Sequence, residues 1–279
     1  MILIVESGST KADWVVADYK GVLLSFKTKG WNLMLLEQEE MLFRLEKLVQ
    51  LTSFKNKIRS IYFYAPGVSL EGSANSLQKV LALTFKNAKI EIQSDLLAAA
   101  RSVFTGKPLF VSILGTGSNT AFFDGQVLIQ NTPSLGFILG DEGSGACLGK
   151  ELLKCYLYKL LPKDLYVSFS KSHSISKESV LKATYIDPNP NRFFAAYVPF
   201  LVGHKNHPFI QTLVSTHFEN YLSVHILNNE SKDDYPIAFI GSVAYLFSDI
   251  LTALCRKYAL NKISFNQFPL SGLLNYHLY

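Results

Sequence analysis

The 279-residue sequence predicts an α/β fold of two lobes, each built on a βββαβαβα core, the second a restart of the first. Three observations carry this expectation. Short apolar runs alternate with stretches of helical period. Two Gly/Ser/Thr turns, at 7–10 and 115–118, hold equivalent places in successive three-strand units. Their separation of roughly 110 residues is too long for a solenoid repeat and suits a duplicated lobe.

In the first lobe, strands are expected at 2–5, 12–18 and 22–27, separated by the turn at 7–10 and by Lys20-Gly21. Residues 36–51 switch to helical period, with Met41, Leu42, Leu45, Leu48 and Val49 on one face. A buried strand at 60–65 stops at Pro66-Gly67, followed by a helix at 73–85, a strand at 89–93 and a helix at 95–104. The Thr-Gly-Lys-Pro stretch at 105–108 reads as the lobe boundary, giving domains 1–106 and 107–279, with the last residues free to pack back on the first lobe.

The second lobe repeats the opening. Strands at 109–114 and 119–123 flank the turn at 115–118, and Asp124-Gly125 is a hairpin turn leading to a third strand at 126–130. Helices follow at 144–160, 177–185, 191–202 and 208–228, then a strand at 236–240, a helix at 243–258 and a strand at 262–265. The apolar positions of the 208–228 helix, Phe209, Leu213, Val214 and Phe218 among them, suit the core, and a homodimer contact is the alternative.

Composition narrows the function classes. Lys and Arg number 27 against 22 Asp and Glu, a net charge of +5 with no block of like charges, so no nucleic-acid arm is expected. No stretch reads as a membrane span, since the uncharged run 108–123 is broken by Gly, Ser, Thr and Asn. Cys147, Cys155 and Cys255 form neither a Cys-x-x-Cys pair nor a zinc spacing, which fits a reducing, cytoplasmic setting. The six histidines give no ligand set for a catalytic transition metal.

The chemistry-bearing signals are the glycine-rich turns that follow strands. Ser7, Gly8, Ser9, Thr10 and Lys11 form the first, and Gly115, Thr116, Gly117, Ser118 and Asn119 the second. Residues 136–145 and Gly241-Ser242 are the others. Glycine lets backbone N–H groups converge on an anion, and hydroxyls add donors, so paired hairpins of this kind could grip a polyphosphate in a cleft between the lobes. Each turn alone would pass for an ordinary hairpin or helix cap. Asp95 opens a helix at a strand end and reads either as its N-cap or as a general base; the two roles are compatible. Asp141 and Glu142 lie between glycines ahead of another helix, with Asp141 placed either for helix-start electrostatics or to accept sugar hydroxyls. Glu6 beside a phosphate turn would repel a nucleotide unless Mg²⁺ lay between them. Asp124 reads as the hairpin residue.

These residues resemble the acetate and sugar kinase, heat-shock chaperone and actin superfamily. Within it they are similar to the BadF/BadG/BcrA/BcrD-type ATPase family and especially its N-acetylglucosamine kinases. Residues 4–11 resemble the first phosphate motif, Gly30-Trp31-Asn32 the sugar-binding loop, and 94–100 the strand-end motif with the catalytic Asp. Residues 114–119 are similar to the second phosphate motif, 136–145 to the family's most specific segment, 240–244 to the adenosine motif and 269–273 to the C-terminal signature. The resemblance implies two actin-like (ribonuclease H-like) lobes and an ATP-dependent kinase acting on an amino sugar, N-acetylglucosamine at its 6-hydroxyl. On that reading Asp95 is the base, and Ser7, Gly8, Ser9, Thr10, Lys11, Gly115, Thr116, Gly117, Gly241 and Ser242 hold ATP. Asn32, Asp95, Ser118, Asn119, Gly136 and Asp141 bind the sugar, and Glu6 serves Mg²⁺. The superfamily most often carries Asp where this chain has Glu6, and the longer side chain displaces the metal or its water shell by about one bond. Two other readings belong to different classes: a non-catalytic nucleotide or sugar sensor, and an ATPase activator of a radical dehydratase, which would need cysteines for an iron–sulfur cluster.

Overall fold

The computed structural model describes residues 1–8, 10–69 and 71–278. It divides into two units: 1–105 together with 269–279, and 106–268.

The first unit opens with β1 (Ile2–Ser7), β2 (Lys11–Asp18) and β3 (Gly21–Lys29), an antiparallel meander. Then come α1 (Gln38–Glu46), β4 (Ser60–Ala65), α2 (Ser73–Thr84), β5 (Lys89–Ser94) and α3 (Asp95–Val103). β4 and β5 run parallel to β1, and the sheet order is β3-β2-β1-β4-β5. The expected helix over 36–51 is shorter: α1 ends at Glu46 and a 3₁₀ turn takes Val49–Leu51. β1 is buried on both faces because helices or loops cover each, so Leu3, Ile4 and Val5 are all inaccessible.

One face of this sheet is an aromatic cluster. Trp14 on β2, Trp31 and Phe63 on β4 sit with ring centroids 5.6–5.7 Å apart in edge-on pairs, the geometry favoured by ring quadrupoles. Trp31 is thereby anchored in the core, and the loop that continues into Asn32 leaves it at a fixed point. On the other face lies the C-terminal helix Leu270–Leu278, which the sequence reading did not resolve as a helix. It crosses α3 so closely that a Cβ on Gly272 would stand 1.8 Å from the Ser102 carbonyl oxygen. Tyr64 ties the crossing down: its hydroxyl is 2.7 Å from His277 Nε2 and accepts from Arg101, which also pairs with Glu91.

The second unit starts with β6 (Leu109–Leu114), β7 (Ser118–Phe123) and β8 (Leu128–Ile129), the last much shorter than the strand expected at 126–130. Helices follow: α4 (Gly136–Leu139), α5 (Gly145–Leu157), α6 (Lys163–Ser172), α7 (Lys177–Tyr185), α8 (Pro190–Ala195), α9 (Val198–Gly203) and α10 (Pro208–Leu222). The sequence reading missed α6 and merged α8 with α9, which part where Pro199 starts a new helical turn. A π-helical turn, Ser223–Leu227, ends α10. β9 (Ile237–Ile240), α11 (Ser242–Leu246), α12 (Ser248–Lys257) and β10 (Ile263–Asn266) complete the unit. Its sheet order, β10-β9-β6-β7-β8, is that of the first sheet read from the other edge. Leu213, Val214 and Phe218 of α10 are spent in this core.

Candidate functional site

In the first unit the site is built at the C-terminal ends of β1 and β5. The cap of α3 is Ser94, whose hydroxyl accepts from the Leu97 N–H at 3.2 Å. Asp95 is therefore the first helical residue, not the N-cap that one reading gave it, and its carboxylate is left for other work. Its Oδ1 accepts the Leu96 N–H at 3.0 Å. Burial lifts the Asp95 pKa to about 6, against the pull of that hydrogen bond.

Glu6 stands opposite Asp13 in the β1–β2 register. Burial, then the charges of Asp13 and Asp95, push its pKa to about 7, and Lys11 pulls the other way. Three carboxylates in one field repel unless a cation joins them. The donor set fits a hard divalent ion that keeps its waters and shares phosphate oxygens. Among the described residues no group of three His, Cys, Asp or Glu side chains could hold a metal unaided.

The first glycine turn is closed by the Gly8 N–H donating to the Lys11 carbonyl at 2.9 Å. Thr10 and Lys11 are exposed on it. Ser9 lies outside the described residues. Ser7, expected at a nucleotide, is fully buried and its hydroxyl accepts from the Trp31 N–H at 2.7 Å, so its side chain is a strut under the 30–32 loop. Asn32 shapes the same loop, its side-chain oxygen accepting from the Met34 N–H at 3.0 Å. Gly67, at φ +84°, lets β4 pass beneath it; a Cβ there would be 2.6 Å from Met34 and 3.1 Å from Asn32 Oδ1.

In the second unit the turn after β6 is locked onto the start of α5. The Gly145 and Ala146 N–H groups donate to the Gly115 and Thr116 carbonyls at 2.8 and 3.0 Å. Asp141, in the left-handed region at φ +58°, accepts from the Ser118 N–H at 3.1 Å, and its carboxylate would lie 2.9 Å from a Cβ on Gly117. The strained backbone thus aims Asp141 at the turn. Burial, followed by the neighbouring Glu142 charge, raises its pKa, although the Ser118 N–H opposes this.

Ser118 is buried and its hydroxyl has no partner, and the Asn119 side-chain oxygen is taken by the Thr120 N–H and by Gln130 at 2.9 and 2.6 Å. Asn119 is thus tied into its own hairpin through its side-chain oxygen, and the Ser118 hydroxyl is buried beside it. Gly136 is exposed at φ +69° and starts the single turn of α4. Asp124 is consumed by the N–H groups of Gln126 and Val127 in its hairpin.

Gly115, Thr116 and Ser242, expected at a nucleotide, do come together. With Gly145, Ala195, Val198, Pro199, Val202, Val243 and Leu246 they line a cavity of about 420 Å³. Gly241, at φ +111°, makes this possible: a Cβ there would be 2.6 Å from the Leu114 carbonyl oxygen. Sequence reasoning missed the far wall, although the apolar spacing of Ala195, Val198, Pro199 and Val202 is a helical stripe that could have shown it. It also missed His225, buried in the π-turn with Nε2 3.2 Å from Glu142.

The cysteines are free, and Cys147 contacts His217 Nδ1 at 3.3 Å. Burial raises all three thiol pKa values. Among the described residues no helix is long and apolar enough to cross a membrane.

No family model and no curated protein matches the chain. Solved structures do. A candidate N-acetylglucosamine kinase from Porphyromonas gingivalis is 35% identical, with a TM-score of 0.92 over 99% of this chain and 98% of that one. A candidate N-acetylglucosamine kinase from Chromobacterium violaceum, 17% identical with a TM-score of 0.69 over 99% and 98% of the two chains, shares the fold. So does a ROK family glucokinase from Streptomyces griseus solved with glucose and AMPPNP, 14% identical with a TM-score of 0.55 over 98% and 97%. The duplicated sheet order, the turns at the strand ends and 35% identity over nearly the whole of both chains establish that this chain belongs to the N-acetylglucosamine kinase-like family of the actin-like ATPase superfamily.

Proposed function

We propose that the protein is an ATP-dependent sugar kinase whose substrate is an amino sugar, N-acetylglucosamine phosphorylated at its 6-hydroxyl. The observation that carries the reading is Asp95: a carboxylate at a strand end, relieved of capping by Ser94 and poised by burial near pH 6. The similarity to the Porphyromonas protein supports the substrate class.

In the proposed reaction Asp95 accepts the proton of the sugar hydroxyl as its oxygen attacks the γ-phosphorus. The new O–P bond forms while the bridging bond to the β-phosphate breaks, and ADP leaves with that electron pair. Asn32 and Asp141 orient the sugar, the latter by holding the 117–118 turn, and Gly136 borders it. Gly8, Thr10, Lys11, Gly115, Thr116 and Gly117 hold phosphates, while Gly241 and Ser242 border adenosine. Bound Mg²⁺, served by Glu6 through water, would neutralise phosphate charge. Positioning and charge neutralisation supply most of the acceleration in phosphoryl transfer. We assign the activity to the cytoplasm on the same reading, consistent with three free thiols.

The test is ADP release with Mg-ATP across N-acetylglucosamine, N-acetylmannosamine, glucosamine, N-acetylmuramic acid and glucose. Asp95→Asn should lower sugar-dependent turnover about 10²- to 10⁴-fold with nucleotide binding retained. Nucleotide binding without sugar-dependent turnover would favour the sensor. Protonated, buried thiols give the dehydratase activator no support.

A further inference from the structure

We propose that the cavity of the second unit holds a purine ring by shape alone, so that guanine and hypoxanthine nucleotides bind about as well as adenine nucleotides. The proposal rests on the kinase reading for the presence of a nucleotide and goes beyond it in naming which bases enter.

The cavity is a slot between two apolar walls. Ala195, Val198, Pro199 and Val202 follow i, i+3, i+4, i+7 spacing along α8 and α9, and Val243 and Leu246 face out of α11 at i, i+3. Such walls suit a flat ring. Its volume of about 420 Å³ lies within the range of small-ligand sites.

The polar lining is confined to the end where the sheet meets the slot. Thr116 belongs to the turn after β6 and Ser242 to the start of α11, and Gly241 brings these two segments into contact. These hydroxyls stand where phosphates or ribose would be. Among the described residues no charged or amide side chain lines the slot. Beside the lining residues, the Ala196, Tyr197 and Phe200 N–H groups are bonded within α8 and α9, and Pro199 has no N–H to offer.

Adenine and guanine differ only along the edge that carries N1 and the substituents at C2 and C6. A site that hydrogen-bonds an edge rejects the wrong group by about 10⁴ to 10⁵, whereas an apolar pocket discriminates by about 10² at most. With no side chain to read that edge, the slot should rank bases by ring size and stacking surface.

The test measures dissociation constants of Mg-ADP, Mg-GDP, Mg-IDP and Mg-UDP with the full chain by titration calorimetry. The three purines should agree within about tenfold and UDP, which fills less of the slot, should bind at least about tenfold more weakly. Val202→Trp, at a half-buried position of the slot's lining, should weaken ADP and GDP together while the far-ultraviolet spectrum stays unchanged. GDP bound more than about a hundredfold more weakly than ADP would overturn the proposal and leave the kinase reading standing. Equal binding of UDP, or loss of ADP alone in the variant, would overturn it too. If no nucleotide binds, the kinase reading fails and takes this proposal with it.

Discussion

The two units share one strand order and differ in what they place at the strand ends. In the first unit the last two residues of β1 are Glu6 and Ser7, and β5 runs into Ser94 and Asp95, so acids crowd where the parallel strands finish. In the second, the last two residues of β6 are Ile113 and Leu114, both apolar, and β10 ends in Asn266 just before Pro269. The first sheet carries charge that needs a proton or a cation to settle it. The second carries an apolar slot and two hydroxyls. On the proposed reading the duplicated frame divides its labour: one copy serves proton transfer, the other holds a ring and its phosphates.

The sharpest way to break this comparison is Asp95→Asn, with its expected loss of about 10²- to 10⁴-fold in turnover. The wild-type acid limb of kcat/KM should lie near pH 6, where Asp95 takes up its proton, and should vanish in the variant's residual activity. Retention of full turnover would remove chemistry from the first unit altogether.

A matched pair of glycines tests the division from the packing side. Gly149 lets α5 cross α8 so closely that a Cβ would be 1.9 Å from the Phe194 carbonyl oxygen; Gly272 does the same for the C-terminal helix against α3. Each alanine must push two helices apart, at a cost of about 1–3 kcal/mol. Gly149→Ala displaces the helix carrying Ala195 and should weaken Mg-ADP binding several-fold. Gly272→Ala displaces the helix headed by Asp95 and should lower turnover while ADP binding is kept. Calorimetry and ADP release on both variants decide it, and an exchange of the two phenotypes would refute the division.

Glu6→Gln sharpens the electrostatic half. The wild-type group has its pKa raised from 4.5 to about 7, so between those values the folded chain holds a proton that the unfolded chain has lost. Stability therefore falls as pH rises through that window and is lowest, from this group, above pH 7. Glutamine removes the ionised group from its acidic surroundings. The variant should unfold at a higher temperature than wild type at pH 8, by an upper bound on the order of 3 kcal/mol, and show little difference at pH 4. Each kcal/mol corresponds to about 2–4 °C. A variant that melts lower at pH 8 would show that Lys11 outweighs Asp13 and Asp95.

Much of this was legible because both sheets announce themselves by local pattern. Short apolar runs ended by Gly, Asp-Gly or Pro-Gly gave the strands, and the repeated turns gave the duplication. Helix ends were less readable: one apolar stripe ran through 191–202 and hid the break that Pro199 marks between α8 and α9. Side-chain partners were not readable where a hydroxyl or amide had a choice of them. Ser7, Ser118 and Asn119 all sit in turns rich in donors, and whether such a group faces a ligand or ties the chain to itself is decided by tertiary register. Ser7 meets Trp31, 24 residues away, and Glu142 meets His225, 83 residues away. No spacing rule reaches that far.

The smallest expected effect bears on the cap that frees Asp95. Ser94→Ala removes the acceptor for the Leu97 N–H, a loss of about 1 kcal/mol at a helix start. Asp95 then becomes the nearest side-chain acceptor for that orphaned donor, since its Oδ1 already takes the Leu96 N–H at 3.0 Å. A carboxylate that gains a second backbone donor holds its charge to lower pH. The acid limb of kcat/KM should therefore move down from pH 6, with turnover reduced because the carboxylate points back at its own helix. A drop in melting temperature of a few degrees with the limb unmoved would mean that Asp95 is held by something other than the division of tasks between these two adjacent residues.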